Sequence, residues 1–188
     1  MAAESLLETV ERLFDLLEAR EVDYLLVGGI ALLQYVEGRN TADVDLIMAI
    51  ESLALLPELQ LVSQDEEFAH CRFGNLQVDL LLMGHPLFAS VAERYAARRS
   101  FAEREIPCAT VEGLLLLKLF ALPPLYRQGN FARVGLYEND VATLLEGYRP
   151  AMEPLLAQLA VYLSPADFAE VRDIVAEIEG RIARFRRG

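Results

Sequence analysis

Apolar positions recur at helical spacing over residues 4–20, where Leu6, Leu7, Val10, Leu13, Phe14, Leu16 and Leu17 form one stripe. A stripe of that width predicts an amphipathic helix lying on a core. After a polar break at residues 21–23 the pattern tightens into an apolar strand over 24–27, ending at Gly28-Gly29. A short apolar helix over 30–36 follows, with Gly38 as its C-cap. Arg39, Asn40 and Thr41 form a loop into a second apolar strand that runs to Ile50 and is interrupted by Asp43 and Asp45. A short helix over 51–55 is stopped by Pro57, and strands are predicted over 59–63, 68–73 and 76–83. Between the last two, Phe73-Gly74-Asn75-Leu76 reads as a hairpin turn, since Gly and Asn tolerate positive φ.

His85-Pro86 opens a helix over 87–95, and a hairpin-like pair covers 98–108. Thr110 is placed to cap a strongly apolar helix over 114–122 that carries Lys118 in LLLLKLFAL. Pro123-Pro124 then reads as a break. Beyond it helices are predicted over 138–148, 151–163 and 167–184, the last capped by Ser164 with proline in its first turn. This order of elements predicts an α/β (α+β) fold: a mixed sheet flanked by helices over 1–122, and a C-terminal helical bundle over 123–188.

Composition narrows the function more than the fold. The chain has 188 residues, 54% hydrophobic and 24% charged, which allows a sizeable core and excludes global disorder. A net charge of −12 argues against a broad basic face for long nucleic acid. No apolar run reaches the roughly 20 residues that cross a bilayer, and the acidic, amphipathic N-terminus lacks the form of a signal peptide. The two cysteines, Cys71 and Cys108, have no metal-type spacing and are expected as buried free thiols of a cytoplasmic protein.

The candidate chemistry sits in residues 25–50. Carboxylates inside an apolar strand are costly unless something cationic answers them. Strand side chains alternate, so Asp43 and Asp45 point one way and Val44 the other. Two such acids suit a hard divalent cation. Gly28 and Gly29 let backbone N–H groups approach an anion such as a triphosphate. Asp79, in LQVDLLLM, is a third acid in an apolar strand. On a strand beside the first two it would complete a two-cation site with ions about 4 Å apart; the alternative is a cap or a pair with an arginine on the hairpin. Lys118 either snorkels to water or has a buried anionic partner. Asp140 either contributes to the site or favours its helix dipole. Arg39 and Thr41 lie beside the acids as loop solvation or as nucleotide contacts. Arg94, Arg98, Arg99 and Arg104 form either a solvated face or a pocket for an acceptor such as an RNA 3′ end. His70 and His85 stand isolated and are assigned to no metal.

Gly28-Gly29, the Asp43-x-Asp45 strand after one helix, and the later strand acid Asp79 together resemble the nucleotidyltransferase superfamily with the DNA polymerase β-type palm. The usual first motif there is Gly-Ser, where this chain has Gly-Gly. The apolar helix with Lys118, the basic residues Arg127 and Arg133, and Asp140 in YENDVATLL are similar to the AbiEii-type nucleotidyltransferases of toxin–antitoxin systems. The likeness covers residues 24–147. It implies Mg²⁺ (or Mn²⁺) and a nucleoside triphosphate, whose nucleoside monophosphate moves to a hydroxyl on a tRNA end, a protein or a small molecule. It implies that Asp43 and Asp45 hold the metal gripping the triphosphate and that Asp79 helps hold a second one and activate the hydroxyl. Gly28, Gly29 and Lys118 would then contact phosphates, and an antitoxin would be a partner. Two other readings stand beside it: a catalytically inactive palm that binds nucleotide or a partner protein, and, more distantly, a Ca²⁺-binding structural protein.

Overall fold

The computed structural model describes residues 6–38 and 40–186, in two compact units, Met1–Thr110 and Val111–Gly188. The first unit holds a seven-stranded mixed sheet of order β3-β4-β5-β2-β1-β7-β6. Its strands are β1 (Tyr24–Val27), β2 (Val44–Met48), β3 (Gln60–Gln64), β4 (Phe68–Phe73), β5 (Leu76–Leu82), β6 (Ala96–Phe101) and β7 (Arg104–Ala109). β2 runs parallel to β5 and antiparallel to β1, and β1 runs parallel to β7. The central strands are the apolar ones, with Leu25, Leu26, Val27, Val44, Leu46, Ile47, Met48, Val78 and Leu80 all buried. The edges are different. β3 is exposed throughout, and β6 carries Arg98 and Arg99, the kind of charge that discourages edge-to-edge pairing.

Helix α1 (Leu6–Ala19) buries Val10, Leu13, Phe14 and Leu17, as its stripe predicts, while Leu6 and Leu7 stay exposed. Phe14 stacks on Tyr24 at 5.8 Å and meets Phe101 edge-on at 5.2 Å. Helix α3 (Pro86–Arg94) starts as expected, with His85 Nδ1 accepting the Leu87 N–H at 3.3 Å. Helix α2 (Gly28–Leu32) differs from its prediction: it begins at Gly28 and ends well short of residue 36. The segment after β2 is a 3-10 helix, Ile50–Leu55. Asp65 Oδ1 accepts the N–H groups of Glu67 and Phe68 at 2.8 and 2.7 Å, closing the β3–β4 turn. Gly74 supplies the left-handed φ of 59° at the β4–β5 turn. Both cysteines are buried free thiols.

The second unit is helical: α4 (Val111–Arg127), α5 (Phe131–Tyr148), α6 (Met152–Leu159) and α7 (Pro165–Phe185). Two boundaries depart from the sequence reading. α4 runs through Pro123-Pro124 rather than stopping there, and the two compact units join between Thr110 and Val111. Two prolines remove two N–H donors, an interior proline costing about 3 kcal/mol. Leu114 to Leu117, Leu119 and Leu122 are buried on that helix, at roughly 1.5–3 kcal/mol per buried leucine. Packing outweighs the breakers. α5 starts seven residues before the predicted 138, where Asn130 Oδ1 accepts the Arg133 N–H at 3.3 Å. Its first turns were hard to read because Phe131 and Leu136 face solvent. Ser164 caps α7 as expected, accepting the Asp167 N–H at 3.1 Å. Among the described residues no helix is long and apolar enough to cross a membrane.

Candidate active site

The site begins where β1 ends. Val27 is register-paired with Asp45 on β2, and the next residue, Gly28, turns the chain with φ of +65°. A Cβ built on Gly28 would lie 1.9 Å from Asp45 Oδ2 and 2.4 Å from its Cγ. The Asp45 carboxylate therefore occupies the volume that any other residue at 28 would fill. Gly29 N–H points at the same oxygen, 3.4 Å away. Gly28 is required by a close approach as well as by backbone conformation.

On the other side of β2, Asp45 is register-paired with Asp79 on the parallel strand β5. Residues paired in this way share a sheet face. Asp43 stands just ahead of β2 rather than within it, half-buried like Asp45, with the buried Val44 between them. Thr41 Oγ1 donates to the Asp43 carbonyl at 3.4 Å and so shapes the loop that delivers it. Arg39 lies outside the described residues.

Asp79 is buried and held by two side chains. His70, its register partner on β4, sits with Nδ1 2.8 Å from Asp79 Oδ1. Gln77, two residues earlier on β5, brings Nε2 to 3.2 Å from Oδ1 and 3.0 Å from Oδ2. At one register level His70, Asp79, Asp45 and Val27 thus form a row across β4, β5, β2 and β1. His70 and Gln77 were not among the sequence candidates. Counting back from the Gly74-Asn75 turn pairs Phe73 with Leu76 and hence His70 with Asp79, so the register contained the signal. The negative charge reaches its neighbour: burial first, then the Asp79 charge, push the Cys71 thiol up to about 11.

The donor types match a hard divalent cation, the carboxylates of Asp45 and Asp79 standing on one sheet face. In the present rotamers Asp45 turns to Gly29 and Asp79 to His70 and Gln77. No three acidic, imidazole or thiol groups among the described residues are gathered as a metal cluster.

No family model matches the sequence, and no curated protein sequence matches it. Solved structures do match. The crystal structure of an antigenic nucleotidyltransferase-like protein from Paracoccidioides brasiliensis is similar with a TM-score of 0.55 at 16% identity, over 91% of this chain and 93% of that one. The fold is nucleotidyltransferase-like. ANT(2″)-Ia in complex with adenylyl-2″-tobramycin is similar with a TM-score of 0.54 at 12% identity, over 93% of this chain and 97% of that one. The solution structure of the antibiotic-resistance factor ANT(2″)-Ia gives 0.51 at 15% identity, over 96% and 95%. At these identities the likeness is one of fold.

Within the helical unit, Lys118 and Asp140 are brought to each other. Lys118 Nζ lies 2.7 Å from Asp140 Oδ2, both side chains almost wholly buried, and 4.3 Å from the centre of the Tyr137 ring. The buried ammonium has its anionic partner one helix away. Two of the candidate arginines of the sheet unit are also engaged: Arg104 pairs with Asp15, and Arg99 lies over the Tyr35 ring, whose hydroxyl donates to the Ala109 carbonyl at 2.8 Å.

Proposed function

We propose that the protein is a metal-dependent nucleotidyltransferase, moving a nucleoside monophosphate from a nucleoside triphosphate to an acceptor hydroxyl with release of pyrophosphate. The observation that supports this most is the in-register pair of Asp45 and Asp79 on one face of β2 and β5, beside Gly28-Gly29. Mg²⁺ or Mn²⁺, when bound, supplies neutralisation of phosphate charge. In this reading Asp43 and Asp45 offer carboxylate oxygens to the ion that carries the triphosphate, and Gly28 and Gly29 keep the backbone close to its phosphates. Asp79 offers an oxygen on the neighbouring strand and accepts the proton of the attacking hydroxyl. Phosphoryl transfer asks for positioning and charge balance more than for covalent chemistry, and these residues are suited to both.

For the acceptor we favour a small, cationic, hydroxyl-bearing molecule. A net charge of −12 disfavours an RNA acceptor and favours a cation, and the similar ANT(2″)-Ia was solved with adenylyl-2″-tobramycin. A place as the toxin of a toxin–antitoxin pair rests on the AbiEii-type resemblance of the sequence alone. A second reading, a palm that binds nucleotide without turnover, is favoured by Gly-Gly where Gly-Ser is usual.

The test is titration of ATP, GTP, CTP and UTP with Mg²⁺ or Mn²⁺, following nucleotide binding and pyrophosphate release with RNA, protein and aminoglycoside acceptors. Metal-dependent binding that Asp43→Asn and Asp45→Asn abolish, with release on a cationic acceptor, is the expected result. Binding without release on any acceptor supports the second reading. Unchanged binding in both variants would rule out the site.

A further inference from the structure

The carboxylate of Asp79 is more tightly engaged than a general base or metal ligand needs to be. An ionised carboxylate has about four lone-pair sites. His70 Nδ1 and Gln77 Nε2 take two on Oδ1, and Gln77 takes one on Oδ2. One site remains, on Oδ2. Because a carboxylate only accepts, the 2.8 Å contact requires the hydrogen on Nδ1, which fixes the imidazole tautomer.

We propose that His70 and Gln77 are positioning residues that lock Asp79 so that it presents a single oxygen, Oδ2, to the reacting groups. The inference rests on the transfer reading above and assigns roles that the acids alone do not contain. Stability gives little reason for the arrangement. The His70 side chain is 52% exposed and Gln77 is exposed, and a hydrogen bond from such a group contributes modestly to folding. Its effect is directional. Asp79, with 11% of its side chain exposed, has a neighbour of the same charge across the β2–β5 register. Unheld, it would swing away from Asp45. Held by His70 from β4 and by Gln77 from its own strand, its plane is set by two planar donors anchored on rigid strands.

Three variants at position 70 separate geometry from charge. His70→Asn keeps an N–H donor where Nδ1 stands, His70→Lys keeps a cation without a fixed donor, and His70→Ala removes both. The expected result is a fall in kcat of about tenfold to a hundredfold for His70→Ala and His70→Lys, the range typical of lost outer-shell partners. KM for the nucleotide should stay level, because Asp43 and Asp45 carry that binding, and His70→Asn should recover most of kcat. Activity restored by His70→Lys but not by His70→Asn would overturn the proposal in favour of simple charge balance. An unchanged His70→Ala enzyme would overturn it while leaving the transfer reading intact. A wild-type protein that neither binds nucleotide nor releases pyrophosphate would overturn both. A readout free of activity is the ring nitrogen shifts of His70 in the protein without metal or nucleotide. In alkaline buffer they should report the Nδ1–H tautomer; a predominance of Nε2–H, which free imidazole prefers, would overturn the proposal in an active enzyme too.

Discussion

Asp45 on β2 stands directly across from Asp79 on β5, in register on one sheet face. Adjacent strands lie about 4.8 Å apart, and like charges at that position work against the fold. Gly29 N–H eases the charge of Asp45, and His70 and Gln77 that of Asp79. A sheet that needed only stability would hold an apolar pair here.

Asp45→Asn is therefore expected to raise stability while abolishing metal-dependent nucleotide binding. The gain should be about 0.5 kcal/mol, within the range of cross-strand pair energies. Urea denaturation of the variant beside a nucleotide titration checks both halves. A variant that is less stable than wild type and still binds would contradict the trade-off.

Gly28→Ala should be among the more damaging single-methyl substitutions in the sheet unit. The left-handed φ of +65° disfavours a side chain by about 1–2 kcal/mol, and the new Cβ would meet Asp45 Oδ2 at 1.9 Å. Gly84→Ala, where a Cβ meets nothing within 4 Å, is the control. Removing the obstructing side chain with Asp45→Gly, which also takes away the Cβ that would stand 2.6 Å from the new methyl, should recover part of the loss. A double-mutant cycle by chemical denaturation measures that coupling, and strict additivity would count against the contact.

Truncating one member of the Lys118–Asp140 pair should cost far more than replacing both. Lys118→Met leaves a carboxylate with 3% of its side chain exposed and no ammonium beside it, at roughly 3–5 kcal/mol. Lys118→Met combined with Asp140→Leu should fall well short of the sum of the single changes. The melting temperatures of the three variants decide it.

Stability should decline on the alkaline side. Burial pushes the Cys108 thiol from 9.0 up to about 12, and the hydrogen bond to Glu138 pushes the Tyr126 hydroxyl from 10.0 up to about 12. In this range the unfolded chain loses protons first, so it binds fewer than the native state and the fold weakens as pH rises. The contribution is complete below about 9 and is lost between 9.0 and about 12. Denaturation midpoints measured across that window should fall, and Cys71 and Cys108 should resist alkylation until the protein unfolds. A flat profile would contradict these shifts.

The order of elements was legible because the sheet unit uses strong local signals. The strand at 24–27, the turn at Gly74-Asn75 and the Ser164 cap all stand where an apolar run, glycine and capping chemistry put them. Asp43, Asp45 and Asp79 were legible for the opposite reason: each breaks an apolar run, and an acid in such a place needs an explanation. The prolines at 123–124 misled because helix breaking is a local tendency, whereas the leucines around them are buried by partners far along the chain.

The amino-acid pattern alone determined that two acids, Asp43 and Asp45, and a glycine pair belong to one strand–helix–strand region and that a third acid, Asp79, interrupts a later apolar strand, because periodicity and burial act over a few residues. Tertiary structure decided which groups meet: Asp45 beneath Gly28, Asp79 against His70 and Gln77, Lys118 on Asp140. Those meetings depend on strand register and helix packing, which are set by the sum of many distant contacts and are written in no single stretch of the chain.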